Sequence, residues 1–132
     1  MKWFNTNIEK ETIANANFRK VLYTWKTSQL VLMSLPPKTD IGLETHHEND
    51  QFFRFEHGEW MCIIDGTEYS VWDGSAIIVP AWAEHNIINT STTQDLKMYT
   101  IYSPPHHKDW IVRATKEEAE MNEEDFDGVT TE

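Results

Sequence analysis

Two histidines and a glutamate occupy positions that strand geometry can bring together. Side chains alternate faces along a strand, so in Glu44-Thr45-His46-His47 the Glu44 and His46 side chains share one face and Thr45 and His47 the other. Gln51 follows five residues after His46, early enough in a returning strand to face back, and His85 opens a later strand after a proline loop. Glu44, His46, Gln51 and His85 would then offer two imidazoles, a carboxylate and an amide oxygen. That donor set suits one divalent transition metal: imidazole favours Fe, Zn, Ni or Cu, and the carboxylate admits Mn. Two histidines and one glutamate with open positions is also the composition of the non-haem Fe(II) facial triad. A register that replaces His46 by His47 is disfavoured by the same alternation, which turns His47 outward.

These residues need strands to hold them, and the chain supplies short ones at close spacing. Phe18–Trp25 and Ser28–Leu35 read as a hairpin that ends at Pro36-Pro37, because proline cannot donate to a ladder. Further strands are expected over Ile41–His46, Gln51–Glu56, Trp60–Ile64, Thr67–Val71, Ser75–Val79, His85–Asn89 and Leu96–Tyr102. Asp65-Gly66 lies between two of them, and both residues accept the positive φ of a tight type I′ turn. With almost no helical periodicity, this pattern indicates a β-sandwich or closed barrel. One helix is expected, over Ala114–Met121. The organisation is thus a polar N-terminal arm over residues 1–17, a β-domain over 18–113, and a helix with an acidic tail over 114–132.

Length and composition narrow the function classes. A chain of 132 residues with six Trp, six Phe and four Tyr can close one hydrophobic core. No apolar run is long enough to span a bilayer, and the first residues contain no signal-peptide core, so a soluble cytoplasmic protein without membrane contact is expected. Cys62, the single cysteine, cannot form an internal disulfide and reads as strand filler. The net charge of −11 is local: eight acids and no bases lie between Glu117 and Glu132, leaving 14 acids against 11 bases in the first 116 residues. The tail reads as solvated. No basic stripe could neutralise a phosphate backbone, which argues against nucleic acid as a partner. No G-x-S-x-G elbow, P-loop or nucleotide-binding glycine turn occurs.

Other residues could shape a pocket. Phe53 and Phe55 share the parity of Gln51 and would face inward, either as plain core or, for Phe53, as an apolar wall against a substrate. Tyr102 and the Pro104-Pro105-His106-His107 segment follow the last strand. The prolines stiffen this segment and could hold His106 over the barrel mouth as an acid or base near its natural pKa, with Tyr102 as a further substrate contact.

The stretch from Gly42 to Asn89 resembles the two signature motifs of the cupin superfamily. The second motif is Gly, five residues, Pro, x, Gly, two residues, His, three residues, Asn. It is matched by Gly74, Pro80, His85 and Asn89 at the family's spacing, with Trp82 where the family has glycine. If that glycine sits at positive φ, tryptophan there costs energy. In the first motif Glu44-Thr45-His46 stands for His-x-His and Gln51 for the following Glu, with Gly58 after six more residues. Asp50-Gln51-Phe52 and Tyr102–His107 are also similar to small single-domain cupins of the mannose-6-phosphate isomerase-like kind. The resemblance implies an all-β double-stranded β-helix (a jelly-roll barrel) and metal ligands at Glu44, His46, Gln51 and His85. It also implies pairing as a homodimer. The activity implied is that of a metal-dependent enzyme on a small polar molecule, most plausibly a sugar or sugar-acid isomerase, or else a lyase or oxygenase. The alternative is a non-catalytic barrel that binds a small molecule for sensing or storage.

Overall fold

In the computed structural model, which describes residues 2–132, ten strands form two antiparallel sheets. The strands are β1 (Arg19–Thr24), β2 (Gln29–Leu35), β3 (Glu44–Thr45), β4 (Asp50–His57), β5 (Glu59–Ile64), β6 (Thr67–Trp72), β7 (Ala76–Val79), β8 (Glu84–Ile88), β9 (Leu96–Ser103) and β10 (Val112–Arg113). The larger sheet has the order β10-β1-β2-β9-β4-β7 and the smaller β3-β8-β5-β6. The two enclose one core in which Phe53, Phe55, Val31, Leu35, Leu96 and Met98 are wholly buried. This is the jelly-roll barrel expected from the sequence. Burial alternates residue by residue along β9, so Leu96, Met98, Thr100 and Tyr102 point inward. On β4 the inward set is Gln51, Phe53 and Phe55.

A helix within the polar N-terminal arm was not apparent from its weak patterning. Helix α1 (Ile8–Ala14) is capped by Asn7, whose Oδ1 accepts from the Lys10 amide at 3.0 Å. It packs on the outer face of β2, β4 and β9, where Lys97 Nζ donates to Asn15 O (2.6 Å) and Ser34 Oγ (2.9 Å). Because α1 covers its outer side, β2 is buried on both faces, which explains its nearly unbroken apolar run. The expected strand over Ile41–His46 is shorter, with only Glu44–Thr45 paired, against β8. The C-terminal helix α2 spans Lys116–Met121, two residues later than expected at its start. Thr115 caps it: its Oγ1 accepts from Glu118 N (3.1 Å) while the Glu118 carboxylate accepts from Ala114 N (2.7 Å).

The acidic tail is not free in solvent. Thr131 N donates to Thr24 O (2.8 Å), Thr24 N to Thr131 Oγ1 (2.9 Å) and Phe126 N to His106 O (3.0 Å). The tail therefore lies along β1 and over one end of the barrel. Its backbone finds partners there that a charge count does not reveal. No helix among the described residues is long and apolar enough to cross a membrane.

Candidate metal centre

The site forms where the two sheets meet at one end of the barrel. Glu44 of β3 lies directly across from His85 of β8 in the ladder. His46, just beyond β3, still turns to the same side as Glu44, as alternation requires: its Nε2 lies 3.1 Å from Glu44 Oε2, which His85 Nε2 approaches to 3.9 Å. One ligand atom from each of Glu44, His46 and His85 falls within 4.8 Å of the others. His47 points away, exposed and stacked on Trp82.

The local sequence explains the placement. His85 follows the Pro80 loop, which Asp50 Oδ1 holds through Ala81 N (2.9 Å) and Asp65 Oδ1 through Glu84 N (2.9 Å). Asn89 is fully buried, and its Nδ2 donates to the carbonyls of Leu35, Pro36 and Gln94, which pins the far end of β8. Asp65 (φ 46°) and Gly66 (φ 79°) both adopt the positive φ of the expected tight turn.

The donors suit a divalent ion. The buried His85 ring uses Nδ1 against Ala83 O (3.2 Å), so Nδ1 carries the proton and the lone pair of Nε2 is free. That Nε2 is buried without a hydrogen-bond partner, and so is Gln51 Oε1, whose amide nitrogen is taken by Thr100 Oγ1 at 3.1 Å. Buried acceptors left unpartnered cost free energy, and a cation would satisfy both chemistries. Gln51 extends from the interior face of β4, two residues before Phe53, whose ring centroid is 6.1 Å from that of His85. Burial pushes the Glu44 carboxyl up, but the His46 hydrogen bond and the charges of His46, His85 and Arg19 outweigh it and hold Glu44 below the usual carboxylate range. Burial and the His46 charge lower His85, despite the opposing pull of Ala83 O and Glu44. Both shifts favour the deprotonated forms that ligate metals.

A second histidine pair borders this centre. The His106 ring is 4.4 Å from that of His46, edge to face, and 5.2 Å from Tyr102, stacked. Burial, and then the nearby His46 charge, drive His106 down to about 4, well away from its natural value. The expectation that it titrates near neutrality is thus corrected. It is a neutral imidazole across the physiological range. Tyr102 is fully buried, raised by desolvation, and its hydroxyl lies 3.3 Å from His107 Nε2. Arg19, Glu44, His46, Tyr102 and His106 all line one cavity of about 310 Å³. Phe53, in contrast, is wholly enclosed in the core and lines neither this cavity nor the neighbouring one of about 510 Å³. Cys62 is pushed up to about 12 by burial, which leaves it an unreactive thiol.

Two supporting residues escaped the sequence reading. Gln29, buried at the start of β2, accepts from the His106 and His107 amides through Oε1 (3.3 and 2.9 Å) and donates to His107 O (2.6 Å) and Thr24 Oγ1 (2.9 Å). Asn49 donates to Pro104 O at 2.6 Å. Both are polar residues next to apolar runs, at positions where a free amide could not remain unpaired. That is the signal that could have found them.

Trp82 adopts the left-handed backbone conformation that favours glycine. Its φ is 74°, its amide donates to His46 O (2.9 Å), and its indole, 69% exposed, stacks on His47 at 4.2 Å between centroids. A left-handed residue with a Cβ costs about 1–2 kcal/mol. Trp82→Gly should therefore be more stable than Trp82→Ala by about 1 kcal/mol, since both lose the stack and only glycine loses the strain. Urea denaturation of the two variants checks this, and equal stabilities would contradict it.

Acid should destabilise the barrel through His107. Burial, with the charges of Arg19, His106, His46 and Arg113 behind it, holds His107 well below 6.5, so in the folded state it stays neutral where the unfolded chain takes up a proton. The unfolded state then binds more protons, and stability falls as pH drops below about 6.5, by up to about 1.4 kcal/mol per pH unit. Urea melts at pH 7.5, 6.5 and 5.5 should show this slope, and His107→Leu should reduce it by His107's share while the contributions of His106 and His85, which burial also lowers, remain.

Residues 31–102 match the Cupin domain family. The chain is similar to protein YrkC of Bacillus subtilis, 44% identical over 89% of this chain and 66% of that protein. It is also similar to protein L612 of Acanthamoeba polyphaga mimivirus, 44% identical over 76% of this chain and 65% of that protein. The matches thus span just under two thirds of the length of these curated relatives. Among solved structures, BH2720 of Bacillus halodurans superposes with a TM-score of 0.89 at 38% identity, over 92% of this chain and 96% of that one. With the motif residues, the barrel and the family match in agreement, the chain belongs to the cupin family.

Proposed function

We propose that this cupin is a metal-dependent enzyme acting on a small polar molecule, most plausibly as a sugar or sugar-acid isomerase. The observation that carries the reading is the convergence of Glu44, His46 and His85 beside a cavity whose wall holds a neutral histidine. Glu44, His46 and His85 would hold the ion, with Gln51 as a further oxygen donor. A divalent metal bound there would supply Lewis-acid polarisation of a carbonyl or hydroxyl. His106 has an unprotonated imidazole at neutral pH and would take a proton from the hydroxyl-bearing carbon beside that carbonyl and return it to the former carbonyl carbon, while the hydroxyl proton passes from that carbon's oxygen to the former carbonyl oxygen. Tyr102, kept protonated by burial, would orient a substrate oxygen. The tail over the barrel end, with Asp125 and Phe126 beside His106, would limit water at the reacting carbon.

Metal content by elemental analysis comes first, followed by incubation of the metal-loaded protein with aldoses, ketoses and uronates in deuterated water. Deuterium should appear at the carbon next to the carbonyl of at least one substrate, and His106→Ala should abolish it. Saturable binding with no exchange and no product would replace this reading with that of a non-catalytic binding barrel.

A further inference from the structure

We infer that Arg19 is the anion-recognition residue of this cavity and that the ligand is a small monocarboxylate. The inference rests on the reading of the cavity as a small-molecule site and names the substrate class for it. Arg19 opens β1 and lines the same cavity as Glu44, His46, Tyr102 and His106. It shares the face of Val21, which is buried, so the guanidinium extends along the inner side of the strand rather than into bulk water. Its Nε is buried with no hydrogen-bond partner. Its guanidinium forms no ion pair among the described residues, although Glu44, Glu123, Glu124 and Asp125 line the same cavity.

A guanidinium whose Nε is buried without a partner is costly unless something completes it. The planar fork matches a carboxylate or a phosphate. The acids around it choose between these. Glu124 is held by Lys108 (4.0 Å) and Arg113 (3.9 Å), but Glu123 and Asp125 have no such cation within reach and would repel a dianion more than a monoanion. A cavity of about 310 Å³ fits a molecule of a few to about a dozen heavy atoms, with room for a hydroxyl or carbonyl toward Glu44, His46 and His85.

Isothermal titration of the manganese-loaded and the chelator-treated full chain tests this with matched probes. These are D-galacturonate against D-galactose, lactate against 1,2-propanediol, and inorganic phosphate. At least one carboxylate should bind the protein about tenfold or more tightly than its neutral counterpart, and phosphate should bind more weakly than that carboxylate. Arg19→Gln should remove the preference. Arg19→Lys, which keeps the charge but loses the fork, should retain part of it, and circular dichroism melts report whether each variant folds. Equal binding of the neutral probes, a preference that survives Arg19→Gln, tighter binding of phosphate, or no carboxylate binding to either form would overturn the inference. Deuterium exchange plays no part in these readouts. A carboxylate preference without exchange would remove the isomerase reading and leave Arg19 in place, and exchange on neutral sugars alone would do the reverse.

Discussion

Replacing His46 and His85 together with alanine is expected to strip the protein of bound metal. The wild type should carry about one transition-metal ion per chain, and the double variant close to none. The reason is geometric. The centre has three strong donors, of which two are these imidazoles, and Glu44 alone with the neutral amide of Gln51 is an ordinary weak cation site. Loss of a residue that merely orients a ligand costs about 10–100-fold in affinity, so loss of two ligands should exceed about a hundredfold. His85 is buried against Phe53, so its truncation also opens a void and lowers stability. His46→Ala alone, at the more exposed rim, separates the two effects: it should lose affinity with little change in the melt. Elemental analysis after dialysis reads the outcome, and unchanged metal content in the folded double variant would refute the assignment.

The second large effect is expected at a residue that touches no ligand atom. Gln29→Ala removes four hydrogen bonds at once and leaves the Thr24 hydroxyl, the amides of His106 and His107 and the His107 carbonyl without that partner. Stranded buried polar groups cost about 1–3 kcal/mol each, and with some re-pairing to water the loss should reach about 3 kcal/mol or more. The damage should spread along the chain. Thr24 also donates to Asp109 (2.8 Å), which accepts from Thr131 (2.8 Å), so the tail is tied into the same network. Protection of the 106–109 and 124–131 amides from hydrogen exchange should fall together. A loss below about 1 kcal/mol by urea denaturation would show that Gln29 does not brace the segment.

Much of the barrel was legible because strands advertise themselves through parity and turns. Asp65-Gly66 marked its hairpin, and the alternation over Glu44, Thr45, His46 and His47 correctly separated the inward histidine from the outward one, even though the paired strand ends at Thr45. What remained hidden depended on contacts distant in sequence. Helix α1 buries Thr12 and its C-cap Asn15 against the sheet while Ile13 stays exposed, so a periodicity reading finds no apolar stripe and passes over it. The tail docks by backbone hydrogen bonds, which composition does not encode. Arg19 shares the parity of Val21, but an arginine in a strand is usually a solvated face, and only the folded cavity shows where its guanidinium ends. The neutral state of His106 likewise follows from its burial beside His46, and nothing local in Pro-Pro-His-His announces it.

The most direct test is anomalous diffraction from crystals of the protein loaded with manganese or zinc, measured at the absorption edge of the metal. A single strong peak is expected among the side chains of Glu44, His46 and His85, with Gln51 Oε1 turned toward it. A peak elsewhere on the barrel, or none in protein shown to be folded and metal-saturated, would contradict this placement.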